Sequence, residues 1–210
     1  MIFKPPTSFV LFQQRRQRFI QKIQEVYKGS SGVIIVGAGF EESRHLFRQS
    51  SSFYYLTGVV EPAGILCLFL DGREILYVPK YATPRSQWAT VTVGGPEDAA
   101  KVGISEVRYA GGSVPGYSFR PVFRHEHYDT LVADLAAFLK DDPAGKVFTL
   151  LDSTREEYLL HINWFEHLQR WQPEIVKRTT DISPVLHGMR SIKDEYEVDM
   201  IYKAVQITNM

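Results

Sequence analysis

Two apolar runs joined by an Asp-Gly pair constrain the fold of this chain more than any other feature. The runs cover Gly64 to Leu70 and Glu74 to Val78, with Asp71-Gly72 between them. Both have the length and aliphatic character of strands, and Asp-Gly favours the backbone angles of a tight hairpin turn. The chain therefore contains at least one antiparallel strand pair, whatever else it forms.

Strand and helix patterns alternate along the rest of the sequence. Further strands are predicted at Val33 to Gly37, at Phe53 to Leu56 and in the run KVFTLL, and helices at Ser8 to Lys28, Pro96 to Val102, Tyr128 to Leu139 and Thr154 to Trp171. In the first helix an apolar stripe faces the core, and the basic segment QQRRQR is interpreted as its solvated face. The interleaving predicts an α/β domain with a mixed β-sheet flanked by helices.

The last thirty residues form a separate segment in this interpretation. We expect residues 1–180 to form the α/β domain, and residues 181–210 to hold an irregular linker and the start of a helix. Ser191 and Asp194 are its candidate N-caps, and Val198, Ile201 and Val205 fall on one stripe. Because no clear stop signal follows, we expect this stripe to pack back on its own domain or against another chain.

Composition narrows the class of protein. The chain has 210 residues, of which 44% are hydrophobic and 23% charged, as in ordinary soluble domains. Its 24 basic and 24 acidic side chains balance, so bulk charge gives no support for nucleic acid or an anionic membrane as partner. No apolar run approaches the roughly 20 residues of a membrane span, and no signal peptide is evident. We therefore expect a cytoplasmic protein that binds neither nucleic acid nor membrane.

The residues alone show no convincing active site. Gly37-Ala38-Gly39 follows a strand, but Glu42 stands where a dinucleotide fingerprint needs its third glycine. His125-Glu126-His127 lacks a third metal ligand, and His161 and His167 are interpreted as helix surface. There is no G-x-S-x-G and no phosphate-binding loop, although a spatial Ser-His-Asp site stays open. The single cysteine, Cys67, excludes a disulfide framework and is interpreted as a buried apolar residue, and the aromatic cluster at residues 53–55 as core packing.

A longer motif carries a family resemblance. The segment FRQSSSFYYLTGVVEP resembles the N-terminal domain of Xaa-Pro aminopeptidase (aminopeptidase P), which is shared more loosely with prolidase and creatinase. The matching positions are Phe47, Arg48, Gln49, Ser51, Phe53, Tyr55, Leu56, Thr57, Gly58, Glu61 and Pro62, and Ser50 departs where Asn is usual. Near the end, HGMRSIKDEYEVDMIYKAVQIT resembles the family's interdomain junction through Arg190, Lys193, Glu197 and Ala204.

The resemblance implies what the chain contributes. In the family such a domain precedes a C-terminal pita-bread catalytic domain, where two divalent metal ions, usually manganese, serve hydrolysis of the N-terminal residue before a proline. All the metal ligands lie beyond the junction helix, so the resemblance implies no catalytic residue, no metal ligand and no cofactor in these 210 residues, and an inactive fragment. Its partners would be its own catalytic domain, further copies in a dimer or tetramer, and peptides with proline second.

Two residues are candidates for controlling substrate access. By position, Trp88 resembles an aromatic side chain that some members place over a neighbouring subunit's site, and Glu42 stands where an acidic residue can approach the catalytic domain. The other motif residues are expected to be mainly structural, with Arg48 bracing the loop before Phe53. Alternatives are the N-terminal domain of a prolidase or creatinase, or of a non-enzymatic peptidase-like binding protein such as a histone-chaperone subunit.

Overall fold

Six strands form one mixed sheet at the centre of the chain. The computed structural model describes residues 9–41, 46–89 and 91–208. The strands are β1 (Gly32–Gly37), β2 (Ile65–Phe69), β3 (Glu74–Val78), β4 (Glu106–Tyr109), β5 (Lys146–Thr149) and β6 (Thr179–Asp181). Their order is β4-β3-β2-β1-β5-β6. Strand β2 is antiparallel to β1 and β3, and the other neighbouring pairs are parallel. The predicted α/β class with a mixed sheet is confirmed.

The β2–β3 hairpin is as the sequence predicts. Ile65 pairs with Tyr77 and Cys67 with Ile75 in antiparallel register. Gly72 has a φ angle of 95°, which a residue with a side chain rarely adopts. The thiol of Cys67 is buried, and this burial raises its pKa, so the cysteine is held as an inert apolar residue.

Helices cover both faces of the sheet. They are α1 (Val10–Val26), α2 (Ser51–Thr57), α3 (Ala99–Val102), α4 (Asp129–Asp141), α5 (Glu156–Trp171), α6 (Ser183–Ser191) and α7 (Glu195–Thr208). Helices α1, α2 and α6 pack with Ile34 and Val36 on one face, and α4 and α5 pack with Val33 and Ile35 on the other. Side chains that alternate along β1 thus fill two separate cores. No helix in the described ranges is long and apolar enough to cross a bilayer.

The segment Phe53 to Leu56 is helical, so its prediction as a strand was wrong. Ser50 caps the start of α2 by accepting a hydrogen bond from the Phe53 amide, and Gly58 ends it with a φ of 67°. These two caps outweigh the strand preference of consecutive aromatic residues. Phe53 and Tyr55 are buried, which confirms core packing for these two, whereas Tyr54 is half-buried.

The basic segment of α1 is only partly a solvated face. Arg15 and Arg16 are 3% and 0% exposed. Arg16 donates to the Leu56 carbonyl oxygen (3.0 Å) and pairs with the carboxylate of Glu74 (2.9 Å). A buried guanidinium is tolerated only with such partners, and these lie far along the chain, where a helical pattern cannot reveal them.

The end of the chain is more ordered than predicted. The segment after β6 was expected to be an irregular connection, but it forms α6, with Pro184 in its first turn and Leu186 buried in the core. Pro near the start of a helix has a compatible backbone angle and no amide hydrogen to leave unpaired. The helix predicted near Asp194 is present as α7.

His161 is a core residue and not the helix-surface residue that the sequence predicts. The Thr149 hydroxyl donates to the Ile35 carbonyl (2.8 Å), so it can only accept from His161 Nε2 at 2.7 Å. Nδ1 is then unprotonated, and it makes no hydrogen bond within the described residues. A Cβ added at Gly37 would lie only 2.6 Å from Nδ1, so no partner fits there. Burial of the ring away from water disfavours its charged form and lowers the pKa of His161 to about 4.

This histidine makes stability fall with acid. In the unfolded chain its pKa is near the ordinary value of about 6.5, so between pH 6.5 and 4 the unfolded state binds a proton that the folded state does not. The free energy of unfolding should therefore decrease by about 2 kcal/mol between pH 7 and pH 5 from this residue alone.

The measurement is urea unfolding at several pH values. His161→Gln, which keeps a side-chain donor for Thr149, should flatten the dependence, and the exposed His125→Gln serves as the matched control that keeps it. Equal pH slopes in the wild type and His161→Gln would contradict the assignment.

Candidate functional site

The family-like motif folds as a loop and helix braced by one amide side chain. Gln49 Oε1 accepts from the backbone N–H of Gly39 (2.7 Å) and Ser50 (2.9 Å), and its Nε2 donates to the Glu61 carbonyl (2.7 Å). Arg48, which was expected to brace this loop, has an exposed side chain. Gln49 therefore holds the loop. The sequence of the motif did not indicate which backbone groups its side chain contacts.

The last two motif residues lead into a buried ion cluster. Arg85 Nη1 lies 2.8 Å from Glu41 Oε2, and Arg85 Nε lies 3.2 Å from Glu61 Oε2. The Thr92 amide donates to the other oxygen of Glu61. Glu61 therefore has a structural role, in agreement with its place in the motif. Its partner Arg85, and Glu41, which shares that arginine, were missed because they lie 24 and 20 residues away.

The pKa values of the two carboxyl groups in this cluster, Glu41 and Glu61, shift in opposite directions. Burial raises the pKa of Glu61, and the Thr92 amide and Arg85 offset it only in part. Burial also acts to raise the pKa of Glu41, but hydrogen bonds from Arg85 and Ser118 outweigh it and leave the pKa below its usual value. One guanidinium therefore holds Glu41 as its firmly ionised partner.

Trp88 extends from this cluster into solvent. It follows the 3₁₀ turn Arg85–Gln87, and its side chain is 65% exposed. Its ring stacks on Tyr117, with centroids 5.3 Å apart and planes 21° apart. Arg85 also donates to the Tyr117 carbonyl (3.0 Å), so the same guanidinium fixes both aromatic residues. Glu42, the second access candidate, lies outside the described residues.

Helix α6 is tied to the domain by a chain of side-chain hydrogen bonds. Arg190 Nη1 donates to Ser52 Oγ (2.8 Å), which lies 2.7 Å from the Tyr158 hydroxyl. The same hydroxyl lies 2.9 Å from His187 Nε2, and the rings of Tyr158 and His187 are stacked. Lys193 Nζ donates to the Arg190 carbonyl (2.8 Å) at the helix end. Arg190 and Lys193, two of the junction residues of the motif, therefore fix the path of the chain into α7.

Helix α7 begins with a capping box anchored to α1. Asp194 accepts from the Glu197 amide (2.9 Å), and Glu197 accepts from the Asp194 amide (3.2 Å). The buried Arg15 donates to Asp194 Oδ2 from Nε (2.9 Å) and Nη2 (2.6 Å), and it lies 3.5 Å from Glu197. Asp194 is thus the N-cap, as one of the two predicted alternatives. Arg15 was missed, although its spacing between Phe12 and Phe19 places it beside the apolar stripe of α1.

Beyond its cap, α7 has no side chain that is buried against the described part of the chain. Val198, Ile201 and Val205 are 54%, 52% and 50% exposed, so the stripe does not pack back on the described residues of its own domain. Packing against another polypeptide therefore stays the prediction. Beside it, a groove of about 310 Å³ runs between α2 and α7, lined by Tyr54, Tyr55, Tyr196 and Met200 among others.

Metal-binding side chains are not brought together in the part of the chain that the structure describes. No group of three or more His, Cys, Asp or Glu residues there could hold a metal ion. His125 packs edge-on against Trp171, and His127 packs against Phe119. The two histidines of the HEH segment thus serve aromatic packing.

Comparison with known proteins bears directly on this arrangement. Residues 12–112 match the family model described as the N-terminal domain of aminopeptidase P. A "Probable Xaa-Pro aminopeptidase" of Penicillium rubens is 24% identical over 207 residues, covering 95% of this chain and 35% of the relative. A relative of the same description in Aspergillus niger is 26% identical over 192 residues, covering 86% of this chain and 32% of the relative.

Solved structures agree in fold. A variant of Escherichia coli aminopeptidase P superposes with a TM-score of 0.70 at 19% identity, covering 96% of this chain and 43% of that one. Aminopeptidase P II of Yersinia pestis gives 0.68 at 18% identity, with 96% and 43% covered. The resemblance to the N-terminal domain of Xaa-Pro aminopeptidase is confirmed, and the chain spans about a third of the length of these curated relatives.

The α1–α7 anchor predicts unequal effects of substitutions at the cap. Asp194→Ala removes both the N-cap and the partner of the buried Arg15, so it should lower the free energy of unfolding by about 2 kcal/mol and speed amide hydrogen exchange in α7. Asp194→Asn should cost less, because asparagine still caps a helix. Hydrogen exchange read by mass spectrometry checks both variants.

The matched control is Asp199→Asn, which breaks the exposed Asp199–Lys203 pair in the same helix. It should change stability by less than about 0.5 kcal/mol. An Asp194→Ala variant that behaves like Asp199→Asn would show that Arg15 does not anchor α7.

Proposed function

We propose that this chain acts as the non-catalytic N-terminal domain of a Xaa-Pro aminopeptidase. The longer enzyme would remove an N-terminal residue that precedes proline, in a catalytic domain following α7. One observation carries the proposal: α7 is anchored to the domain at its first turn, while its apolar stripe is left uncovered. The match to the aminopeptidase P family and the roughly one-third coverage of full-length relatives support the same conclusion.

The exposed stripe suits an interface with the catalytic domain. Burying an aliphatic side chain contributes about 1.5–3 kcal/mol, so covering the half-exposed Val198, Ile201 and Val205 would stabilise the junction by several kcal/mol. The capping box and Arg15 fix the direction in which α7 leaves the domain. We infer that this anchoring sets how the two domains face each other.

The metal centre belongs to the proposed catalytic domain. Two divalent ions, such as manganese, would supply hydroxide and stabilise the oxyanion there. The residues of this chain do not fit such a centre, because those described offer no cluster of ligands. The contribution of this domain is therefore to hold, orient and restrict, and no chemical step is assigned to it.

Trp88 is the residue best placed to restrict access. A large exposed ring that is held by stacking and by an anchored turn can cover an opening without losing much conformational freedom. We propose that Trp88 reaches the mouth of a catalytic site in an oligomer of the longer enzyme, where it gates peptides by size.

The fragment alone should be inert. When the 210-residue chain is incubated with Ala-Pro-Gly and manganese, no alanine should be released above the buffer rate, because the proposed hydrolytic centre lies elsewhere. Release is measured by chromatography of the amine products. Turnover comparable to that of a full-length enzyme would refute the proposal.

In the full-length enzyme, Trp88→Ala should change substrate preference more than chemistry. We expect the ratio of kcat/KM for a tetrapeptide over a tripeptide to change about threefold or more, with kcat for the tripeptide retained, since a gate acts on entry. Trp88→Phe, which keeps a ring, should be closer to the wild type. An unchanged ratio in Trp88→Ala would remove the gate from the account.

A further inference from the structure

A small pocket is lined by residues that precede and follow Tyr117 in the chain, and it has no part in the roles proposed above. Its volume is about 250 Å³, and its lining includes Ser118, Phe119, Arg120, Val122, Arg124 and His127. Sites for whole small molecules start at about 300 Å³. This pocket therefore suits one side chain or one terminal group of a larger ligand.

The charged groups at the pocket favour an anion. Arg120 is exposed and forms no ion pair among the described residues. Arg124 lies 3.8 Å from Glu126, and both side chains are more than 60% exposed, so this pair is weak. Two guanidinium groups are thus available at one mouth, and their paired N–H donors match a carboxylate.

One residue that lines the pocket, His127, carries a buried ring nitrogen that has no partner among the described residues. His127 is only 9% exposed, its ring packs edge-on against Phe119, and its Nδ1 makes no hydrogen bond within the described residues. Buried polar atoms normally have partners. His127 therefore adds a polar group with unmet hydrogen-bonding capacity to the residues that line the pocket.

The pocket and the ring pair are parts of one rigid surface. Tyr117 stacks on Trp88, and the next residue, Ser118, lines the pocket. Ser118 Oγ donates to Glu41 (2.7 Å), whose carboxylate is also held by Arg85. Because Arg85 also holds the Tyr117 carbonyl, the distance between the rings and the pocket is fixed by one buried ion cluster.

We propose that this surface binds acidic peptides, with an apolar residue on the Trp88–Tyr117 rings and a downstream carboxylate in the pocket at Arg120 and Arg124. The ring faces suit a flat apolar group such as the pyrrolidine of proline, and the arginines supply charge complementarity. The choice of a peptide as occupant rests on the proposed function. The positions of the two rings and of the two arginines are features of the structure and do not depend on that function.

The test is binding to the 210-residue chain, which needs no catalysis. The probes are Ala-Pro-Gly-Glu-Glu and its neutral counterpart Ala-Pro-Gly-Gln-Gln amide, titrated while backbone amide shifts are recorded by NMR. The acidic peptide should bind about fivefold more tightly at low ionic strength, and this preference should shrink in high salt. Shifts should concentrate at residues 115–128 and at Trp88.

Matched variants separate charge from stacking. Arg120→Gln with Arg124→Gln should abolish the preference, whereas Tyr117→Ala should weaken both peptides alike. Arg18→Gln with Lys28→Gln removes two exposed charges, one in α1 and one in the turn after it. Helix α1 covers the opposite face of the sheet, so this variant should preserve the preference.

Three results would overturn the inference: equal affinity for the two peptides, no binding by either, or an unchanged preference in the double arginine variant. The outcome is independent of the assay of the longer enzyme. A persistent preference beside an enzyme inactive on X-Pro peptides would sink the proposed function alone, and an active enzyme without the preference would sink the pocket alone.

Discussion

The buried guanidinium of Arg16 is the interaction on which the rest of the structure depends. It joins α1 to the carbonyl at the end of α2 (Leu56), to the carbonyl after α3 (Gly103, 2.5 Å) and to Glu74 at the start of β3. Removing a charge from water costs several kcal/mol, so these partners must be present together for the side chain to be buried at all. Because one guanidinium needs all of these partners, α1, α2 and α3 must pack together on this face of the sheet.

The neighbouring residue, Arg15, connects α1 to the last helix, α7. Arg15 lies about 100° around α1 from Arg16, where it reaches Asp194 and also lies over the Tyr55 ring at 4.2 Å. The direction of α7 is consequently set by its contact with α1. The adjacent Arg15 and Arg16 thus have different roles. Arg16 holds elements together inside the domain, and Arg15 holds the first turn of α7.

The sequence was sufficient where structure is decided by neighbours. Three features depend on contacts between residues close in sequence, and each was predictable: the Asp71-Gly72 hairpin, the helices α4 and α5, and the cap at Asp194. His161, Arg15 and Arg16 were not, because their burial depends on partners 12, 179 and 58 residues away. The strand predicted at Phe53 failed for a local reason: the caps Ser50 and Gly58 were weighed less than aromatic content.

The candidate site divides in the same way. The motif residues Glu61 and Pro62 and the junction residues Arg190, Lys193 and Glu197 were recognisable as a resemblance, but their contacts were not. The Arg85 cluster and the Trp88–Tyr117 stack bring together residues from four separate loops. Such convergence is a property of topology, and only knowledge of the strand order could have indicated it.

Among the six strands, β2 alone runs opposite to the others, so the two rims formed by the ends of the strands differ. Because the other five strands are parallel, their carboxyl ends share one rim, which carries Glu41, Arg85, Tyr117 and His187. The opposite rim has the hairpin turn at Gly72 and the turn before β5. The chain can therefore be lengthened at the second rim, for instance between the exposed Pro143 and Ala144 before β5, and the recognition surfaces are left unchanged.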